Sequence, residues 1–166
     1  ISMSHPFDIL SIANRPGRLI FTPCPGTKDS SIDSALSTLK QAGADAVLTL
    51  MPYAELAQNG ACELPALCAA QGLTWLHVPV ADEQVPQVDF DAAWPAAMAQ
   101  IAELLAADKS IAIHCKGGSG RTGLIAARIL IELGIERSEA ISLVQALRPK
   151  AIQHPAHAGW IAQFGN

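Results

Sequence analysis

Short hydrophobic segments alternate along the chain with longer segments in which hydrophobic residues recur every three or four positions. The short segments are typical of buried strands, and the longer spacing is typical of helices with one buried face. The predicted strands are residues 9–12, 19–22, 46–50, 73–78 and 110–113. The predicted helices are residues 31–42, 63–71, 91–106, 124–133, 138–147 and 155–164.

Residues that favour turns or helix ends mark the boundaries of several of these elements. The run Asn14-Arg15-Pro16-Gly17 separates the first two strands and predicts a hairpin. Gly43 is placed to end the first helix, and Ser138 to cap the helix at 138–147. Pro95 is tolerated in the helix at 91–106 only if that helix begins within about one turn of it.

The alternation of strands and helices predicts an α/β fold with one domain over residues 1–166. We expect a central, mostly parallel sheet of four to five strands with helices on both faces. Ligands bind beyond the carboxyl ends of the strands in such sheets. The loops after Leu50, Val78 and Ile113 are therefore expected to face one shared cleft.

Composition and charge limit the classes of function. Half of the residues are hydrophobic and 16% are charged, which indicates a compact globule rather than disorder. The net charge of -4 argues against a general affinity for nucleic acid or for an acidic membrane. Recognition of an anion must then depend on a few well-placed donors. The five histidines show no metal-ligand spacing, so we expect no metal.

The chain shows no sign of a membrane span or a secretory signal. No run of 18 residues is free of polar side chains, and the first residues lack the order of a signal peptide. Ile1 and Ser2 are interpreted as a cloning remnant ahead of a natural start at Met3. We expect a cytoplasmic protein with free thiols, because its cysteines form no dense framework. They are Cys24, Cys62, Cys68 and Cys115.

A glycine-rich segment between the last predicted strand and the following helix carries the strongest chemical signal. Glycines let the backbone turn successive N–H groups inward, and the helix adds its own unpaired N–H groups and the positive end of its dipole. Such a nest binds a tetrahedral oxyanion, and the planar guanidinium of Arg121 can close over two phosphate oxygens. The predicted phosphate-binding residues are Lys116, Gly117, Gly118, Ser119, Gly120 and Arg121.

The same positive field favours the thiolate of Cys115, the form of cysteine that acts as a nucleophile. A thiolate at the floor of the nest lies in line to attack phosphorus. The hydroxyl of Thr122 is placed to hydrogen-bond the sulfur, and His114 to support the segment from behind. A structural thiol and an ordinary turn would each explain part of this segment, but not six constrained positions in this order.

The run from His114 to Gly123, read as His-Cys-Lys-Gly-Gly-Ser-Gly-Arg-Thr-Gly, resembles the signature of the protein-tyrosine phosphatase superfamily. Flanking segments are similar to the kinase-associated, dual-specificity type within that superfamily. The resemblance runs from about Leu19 to Phe164 and implies the cysteine-dependent phosphatase fold. It also implies hydrolysis of phosphate monoesters through a phosphocysteine intermediate, with no metal or cofactor. The similar flanking segments are residues 22–28, 79–82 and 151–153.

The resemblance assigns a role to each matching residue. By it, Cys115 is the nucleophile, Arg121 binds phosphate and Asp82 is the general acid. Gln153 matches the glutamine that helps to place the hydrolytic water. The family's docking of cyclin-dependent kinases does not depend on these motifs and is not implied.

Two positions depart from the family pattern, and four other residues have weaker claims on the site. Lys150 stands where relatives usually carry glycine, and His157 where many carry a second glutamine. Glu83 and Asp89 compete with Asp82 for the role of general acid. Tyr53 follows the strand at 46–50 and is a candidate wall for an aromatic leaving group, or else partly buried packing. A redox pairing of Cys24 with Cys115 stays open.

We therefore predict an enzyme that dephosphorylates phosphotyrosine, phosphothreonine or phosphoserine in proteins or peptides and that binds oxyanions such as phosphate or vanadate. One alternative is a phosphoinositide or inositol phosphatase. Lys116 favours it, but Ser119 stands where lipid-specific relatives often carry a second lysine. Another alternative is a non-catalytic phosphate-binding module, although such modules usually lack the cysteine, the arginine or the acid. A sulfurtransferase would lack the Arg-Thr-Gly sequence and the upstream acid.

Overall fold

The computed structural model describes residues 4–165, in which five strands alternate with seven helices. The strands are β1 (Asp8–Ser11), β2 (Arg18–Thr22), β3 (Ala44–Thr49), β4 (Thr74–His77) and β5 (Ser110–His114). The helices are α1 (Ile32–Gln41), α2 (Tyr53–Gln58), α3 (Leu64–Ala70), α4 (Val88–Ala106), α5 (Gly120–Glu132), α6 (Arg137–Leu147) and α7 (Pro155–Ile161). The interpretation of Ile1, Ser2 and Met3 lies outside the described residues.

The strands form one sheet in the order β1-β2-β5-β3-β4. β1 pairs antiparallel with β2, as the hairpin prediction requires, and the other neighbours are parallel. The prediction of a mostly parallel sheet is therefore confirmed. Because β5 lies between β2 and β3, the segment that follows it begins at the middle of the sheet's carboxyl edge.

Alternating side chains of the central strands supply a separate core on each face of the sheet. Leu19, Phe21 and Leu48 pack on the face covered by α4, α5, α6 and α7. Ile20 and Val47 pack on the other face, with α1, α2 and α3. This alternation follows from the two-residue period of a strand. It confirms the predicted placement of helices on both faces.

Helix α4 begins earlier than predicted. It begins at Val88, seven residues before Pro95, and not within one turn of the proline. Proline removes one helical hydrogen bond, which would otherwise run to the carbonyl of Asp91. Both Pro95 and Asp91 are exposed, so water can satisfy that carbonyl. The buried residues Phe90 and Trp94 stabilise the additional turns by packing into the core.

One local prediction needs correction, and one helix is absent from the predictions. Ser138 does not cap α6, because Glu136 is the N-cap residue and the Ser138 hydroxyl donates to its carboxylate at 3.2 Å. A carboxylate at this position is favourable beside the positive end of the helix dipole. Helix α2 was not predicted, because its six residues are too few to display a helical period. Within residues 4–165, no helix is both long and apolar enough to cross a bilayer.

Candidate active site

Residues 115–121, which we call the phosphate loop, connect β5 to α5. Helix α5 begins at Gly120, four residues earlier than predicted, so its first N–H groups belong to the loop itself. Gly118 has a φ of 77°, a conformation that side chains disfavour. A Cβ there would lie 2.6 Å from the carbonyl carbon of Thr22 and 2.7 Å from the nitrogen of Pro23. The loop can therefore lie against the end of β2 only with glycine at this position.

The sulfur of Cys115 is buried and receives two hydrogen bonds. The N–H of Gly118 donates to it at 3.3 Å, and the hydroxyl of Thr122 donates at 3.2 Å. Donors of this kind stabilise a thiolate more than a neutral thiol. The structure therefore brings Thr122 to the position that the sequence predicted for it.

The guanidinium of Arg121 is buried and donates hydrogen bonds to several acceptors. Glu55 binds it with both carboxylate oxygens, at 2.7 Å from Nη1 and 2.8 Å from Nη2. Nη1 also donates to the carbonyl of Val80 at 2.8 Å, and Nη2 lies 3.3 Å from the carboxylate of Asp82. Burial alone would lower the pKa of Arg121, but the Glu55 hydrogen bonds and the charges of Cys115, Glu55 and Asp82 raise it overall. The group is thus a permanent cation in the wall of the site.

The two edges of the guanidinium have different partners. Glu55 occupies the edge formed by Nη1 and Nη2, which fixes the plane of the group. Among residues 4–165, the edge formed by Nε and Nη2 meets only the longer contact to Asp82, whose side chain is 65% exposed. A planar guanidinium can bind a second oxyanion through that edge. The arrangement leaves Arg121 able to bind a phosphate without releasing Glu55.

A chain of three hydrogen bonds supports the phosphate loop from beneath. The indole N–H of Trp75 donates to the hydroxyl of Thr49 at 2.8 Å, and that hydroxyl donates to Nε2 of His114 at 2.7 Å. Nδ1 of His114 then donates to the carbonyl of Cys115 at 3.0 Å. Burial lowers the pKa of His114 to about 4, so the ring is neutral and keeps one tautomer. This is the support from behind that the sequence predicted for His114.

Two neighbouring segments also hold the phosphate loop in place. The N–H of Cys24 donates to the carbonyl of Lys116 at 3.0 Å. Nε of Arg148 donates to the carbonyl of Gly118 at 2.9 Å, while its Nη1 binds the carboxylate of Asp8 at 2.8 Å. Burial, with the nearby charges of Glu55 and Cys115, raises the pKa of Cys24 to about 12. Cys24 is therefore a neutral thiol beside the loop.

The loops at the carboxyl edge of the sheet enclose a cavity of about 700 Å³ above the phosphate loop. Most of the predicted site residues line it, so the structure brings the segments that carry them together. The competing carboxylate Glu83 lines it as well, whereas Asp89 does not and instead accepts a hydrogen bond from the N–H of Phe90. The predicted residues in its wall are Asp82, Cys115, Lys116, Gly117, Ser119, Gly120 and Arg121.

Five predicted residues do not line this cavity. Gly118, Thr122 and His114 lie behind it, within or against the phosphate loop, and two others lie away from it. Tyr53 is 65% exposed, and its ring packs edge-on against His77 with the ring centres 4.7 Å apart. Gln153 is exposed, and its amide donates to the carbonyl of Pro149 at 3.1 Å. The cavity wall at this place consists instead of Ile152 and other neighbours of Gln153. The roles of Tyr53 and Gln153 stay predictions.

The segment 81–87, which we call the acid loop because it carries Asp82, is fastened at two points. Arg121 binds the Val80 carbonyl and the Asp82 carboxylate at its start. Further along, Nε2 of His157 in α7 donates to the carbonyl of Gln84 at 3.0 Å. His157 is buried whereas Gln84 is exposed, so this bond is only partly shielded from water. The residue that departs from the family's glutamine thus holds the acid loop over the cavity.

Residues that hold the site together but are absent from the sequence predictions include Arg148, Glu55, Thr49 and Trp75. Glu55 lies in α2, whose short length hides its helical character. Thr49 is a buried polar residue directly after the apolar run 46–48 of β3, and that anomaly is a signal that could have marked it. Nothing local marks Trp75, because the hydroxyl to which it donates is 26 residues away. Within residues 4–165, no group of three or more His, Cys, Asp or Glu side chains is placed to hold a metal.

Comparison with known proteins gives consistent relatives. A family model described as "Polymorphic toxin system, DSP-PTPase phosphatase" matches residues 25–135. Cyclin-dependent kinase inhibitor 3 of Rattus norvegicus is 31% identical over 117 residues, which is 70% of this chain and 52% of that protein. The chain thus spans about half the length of this curated relative.

Solved structures share the fold. Kinase associated phosphatase (KAP), solved with its catalytic-site cysteine replaced by serine, superposes with a TM-score of 0.87 at 24% identity, over 98% of this chain and 95% of that one. Tk-PTP in the active form superposes with a TM-score of 0.69 at 23% identity, over 93% and 94% of the two chains. At these identities the structural comparisons establish the fold alone.

The close contact between Gly118 and the end of β2 can be tested with a matched pair of substitutions. Gly118→Ala forces a Cβ into backbone atoms in a disfavoured conformation, so we expect a loss of about 1–3 kcal/mol in the free energy of unfolding. Gly117→Ala, where a Cβ meets nothing within 4 Å, should change it by less than about 0.5 kcal/mol. Denaturant unfolding measures both. Equal effects would contradict the close approach of the loop to β2.

The contact from His157 to the acid loop can be tested separately. His157→Ala removes the donor to Gln84, so the backbone amides of Glu83, Gln84, Val85 and Gln87 should exchange with deuterium faster. His157→Gln retains an N–H donor and should restore much of the protection. Hydrogen exchange followed by mass spectrometry measures both variants. Unchanged exchange in His157→Ala would show that this hydrogen bond does not hold the acid loop.

Proposed function

Since the chain belongs to the family described as DSP-PTPase phosphatases of polymorphic toxin systems, we propose that it is a cysteine-dependent phosphatase acting on phosphorylated proteins. One observation carries the proposal. A buried cysteine sulfur with two donors, an arginine with a free edge and a carboxylate all line the same cavity. Each is a residue type that phosphate transfer to sulfur requires, and they come from two separate segments of the chain, the phosphate loop and the acid loop.

In the proposed first step, the phosphate monoester enters the phosphate loop. Its oxygens accept hydrogen bonds from the loop N–H groups and from the Nε–Nη2 edge of Arg121, and Asp82 leaves that edge. The Cys115 thiolate attacks phosphorus, and the bond from phosphorus to the leaving oxygen breaks. Asp82, in its protonated form, gives its proton to that oxygen. The products are phosphocysteine and the free hydroxyl of the substrate.

In the second step, water attacks the phosphocysteine. The sulfur–phosphorus bond breaks, and the sulfur leaves as a thiolate that Gly118 and Thr122 stabilise. The Asp82 carboxylate takes the proton that the water loses. We assign orientation of this water to Gln153, whose amide must first turn away from the Pro149 carbonyl. Inorganic phosphate is released, so the thiolate and the protonated acid are restored.

The substrate and the location of the protein belong to the same proposal. We propose phosphotyrosine, and also phosphothreonine or phosphoserine, of proteins as the substrate, with phosphate and vanadate as competing oxyanions in the phosphate loop. Four free cysteines, together with the phosphoprotein substrate, support a cytoplasmic location. A panel of p-nitrophenyl phosphate, thiosulfate, phosphopeptides and phosphoinositides separates this function from the alternatives. Hydrolysis of phosphoinositides in preference to all phosphopeptides would overturn the proposed substrate.

The nucleophile can be tested by replacing the cysteine sulfur. Cys115→Ser should lower kcat for p-nitrophenyl phosphate by at least about a thousandfold, because a serine hydroxyl is not ionised at neutral pH. It should still bind phosphate, which calorimetry measures, because the loop donors are retained. Cys62→Ser replaces an exposed cysteine and should leave kcat unchanged. Substantial turnover by Cys115→Ser would exclude Cys115 as the nucleophile.

The general acid can be tested through the leaving group. Asp82→Asn should slow hydrolysis of phosphotyrosine and alkyl phosphates by about 10²–10⁴-fold, because their leaving oxygens need a proton. A highly activated aryl phosphate should be slowed much less. The variant should also flatten the basic limb of the plot of rate against pH. Steady-state kinetics over a series of leaving groups measures both effects.

Glu83→Gln and Asp89→Asn are the matched controls for the general acid, and both should retain the wild-type dependence on the leaving group. Glu83 is the stringent control, since it lines the same cavity as Asp82. If Glu83→Gln shows the dependence instead, the acid is the residue after Asp82. If none of the three variants shows it, the assignment to this loop is wrong.

A further inference from the structure

Lysine residues are concentrated at the cavity. The chain has five lysines and a net charge of -4, yet Lys28, Lys116 and Lys150 all line this one cavity. Among residues 4–165, the ion pairs involve only arginines, so none of the three lysines has a carboxylate within 4.0 Å. The protein has a net negative charge, yet three of its five lysines line one cavity, and within residues 4–165 none of the three pairs with a carboxylate.

Arg121 is already paired with carboxylates. It meets both Glu55 and Asp82 within 3.3 Å, so this group of three carries one net negative charge. The rest of the cavity wall includes the carboxylate of Glu83, the sulfur of Cys115 and the three lysines. The phosphate loop and Arg121 provide the donors for one phosphate, so the ammonium groups of the lysines are available to a second anion.

The backbone on either side holds two of these lysines close to the phosphate loop. The segment before Lys28 is tied to the loop by the hydrogen bond from Cys24 to the Lys116 carbonyl. The segment before Lys150 is tied to it by the bond from Arg148 to the Gly118 carbonyl. Each lysine thus lies a few residues from a point of attachment to the loop.

A histidine lines the same cavity as these lysines. Nδ1 of His154 accepts a hydrogen bond from the N–H of Ala156 at 3.1 Å, so the proton of the neutral ring is on Nε2. His154 lines the cavity together with Lys28 and Lys150. It therefore adds an N–H donor to the two ammonium groups.

We propose, resting on the phosphatase function above, that Lys28, Lys150 and His154 form a second anion site for a phosphate group that is not hydrolysed. The preferred substrate is then a peptide with two phosphorylated residues close together. One phosphate enters the phosphate loop and the other binds the second anion site. Ammonium and imidazole N–H groups are suitable donors for a phosphate dianion.

The shape of the site favours a peptide over a compact polyol. A shallower groove of about 330 Å³ adjoins the cavity and shares Asp82 and Lys116 with it. Its far wall is formed by α2 and includes the amide side chains of Gln58 and Asn59, which can hydrogen-bond a peptide backbone. An extended chain can lie along this groove and across the phosphate loop. The net charge of -4 opposes docking on an anionic membrane.

The test compares peptides of one sequence that carry phosphotyrosine alone or with a phosphoserine one, two or three residues away on either side. Mass spectrometry identifies which phosphate is released. At the best spacing, kcat/KM for phosphotyrosine should be about tenfold higher than for the singly phosphorylated peptide. Two or three exposed ion pairs of about 0.5 kcal/mol each would produce an increase of this size. In Lys28→Gln/Lys150→Gln this ratio should fall below about twofold. Hydrolysis of p-nitrophenyl phosphate, which has no second anion, should change far less.

Lys109→Gln is the control for overall charge. Lys109 precedes β5, at the opposite end of that strand from the phosphate loop, and should leave the ratio unchanged. A ratio near one in the wild type, with normal hydrolysis of p-nitrophenyl phosphate, would overturn the second anion site alone. The second anion site would also be overturned if Lys109→Gln lowered the ratio as much as the double variant does. A lysine-dependent preference for soluble inositol bisphosphate but not for peptides would overturn the peptide substrate, and absence of all phosphatase activity would overturn the proposed function as well.

Discussion

The contact between Gly118 and the end of β2 is the constraint on which the rest of the site depends. Because no Cβ intervenes, the phosphate loop lies directly against the backbone of Thr22 and Pro23. This position lets the N–H of Gly118 reach the sulfur of Cys115 and lets its carbonyl accept the bond from Arg148. Gly118 therefore contacts the end of β2, the sulfur of Cys115 and the side chain of Arg148, which lies two residues before Lys150.

The buried pair of Arg121 and Glu55 is a second constraint, and it links stability to binding. A buried guanidinium without a partner would be strongly destabilising, so Glu55 is needed for the fold as well as for the site. Since Glu55 binds only one edge, the other edge stays directed to the cavity. The same carboxylate therefore neutralises the cation and orients it. A surface arginine could not keep this orientation, because its side chain would sample many rotamers.

The two sides of the cavity are held in different ways. The phosphate loop is fixed by buried hydrogen bonds, including the neutral ring of His114 and the chain of donors behind it. The acid loop is held by the contact of the exposed Asp82 carboxylate with the buried Arg121, at 3.3 Å, and by one part-buried bond from His157. An ion pair with an exposed partner contributes little to stability, so the acid loop is the more easily moved of the two. That difference suits a site in which the anion cradle is permanent and the acid must change partners.

The sequence by itself determined the α/β fold, the order of its elements and the segment from His114 to Gly123, because these follow from local periodicity and from residues adjacent in the chain. Only the tertiary structure decided the partners. Glu55 meets Arg121 across 66 residues and His157 meets Gln84 across 73, and no local pattern encodes such pairs. The start of α4 was missed for a related reason, since the burial of Phe90 in the core outweighs the local preference of Pro95. Side-chain partners depend on how the loops of separate strands meet at the carboxyl edge, whereas elements and motifs depend on neighbours in sequence.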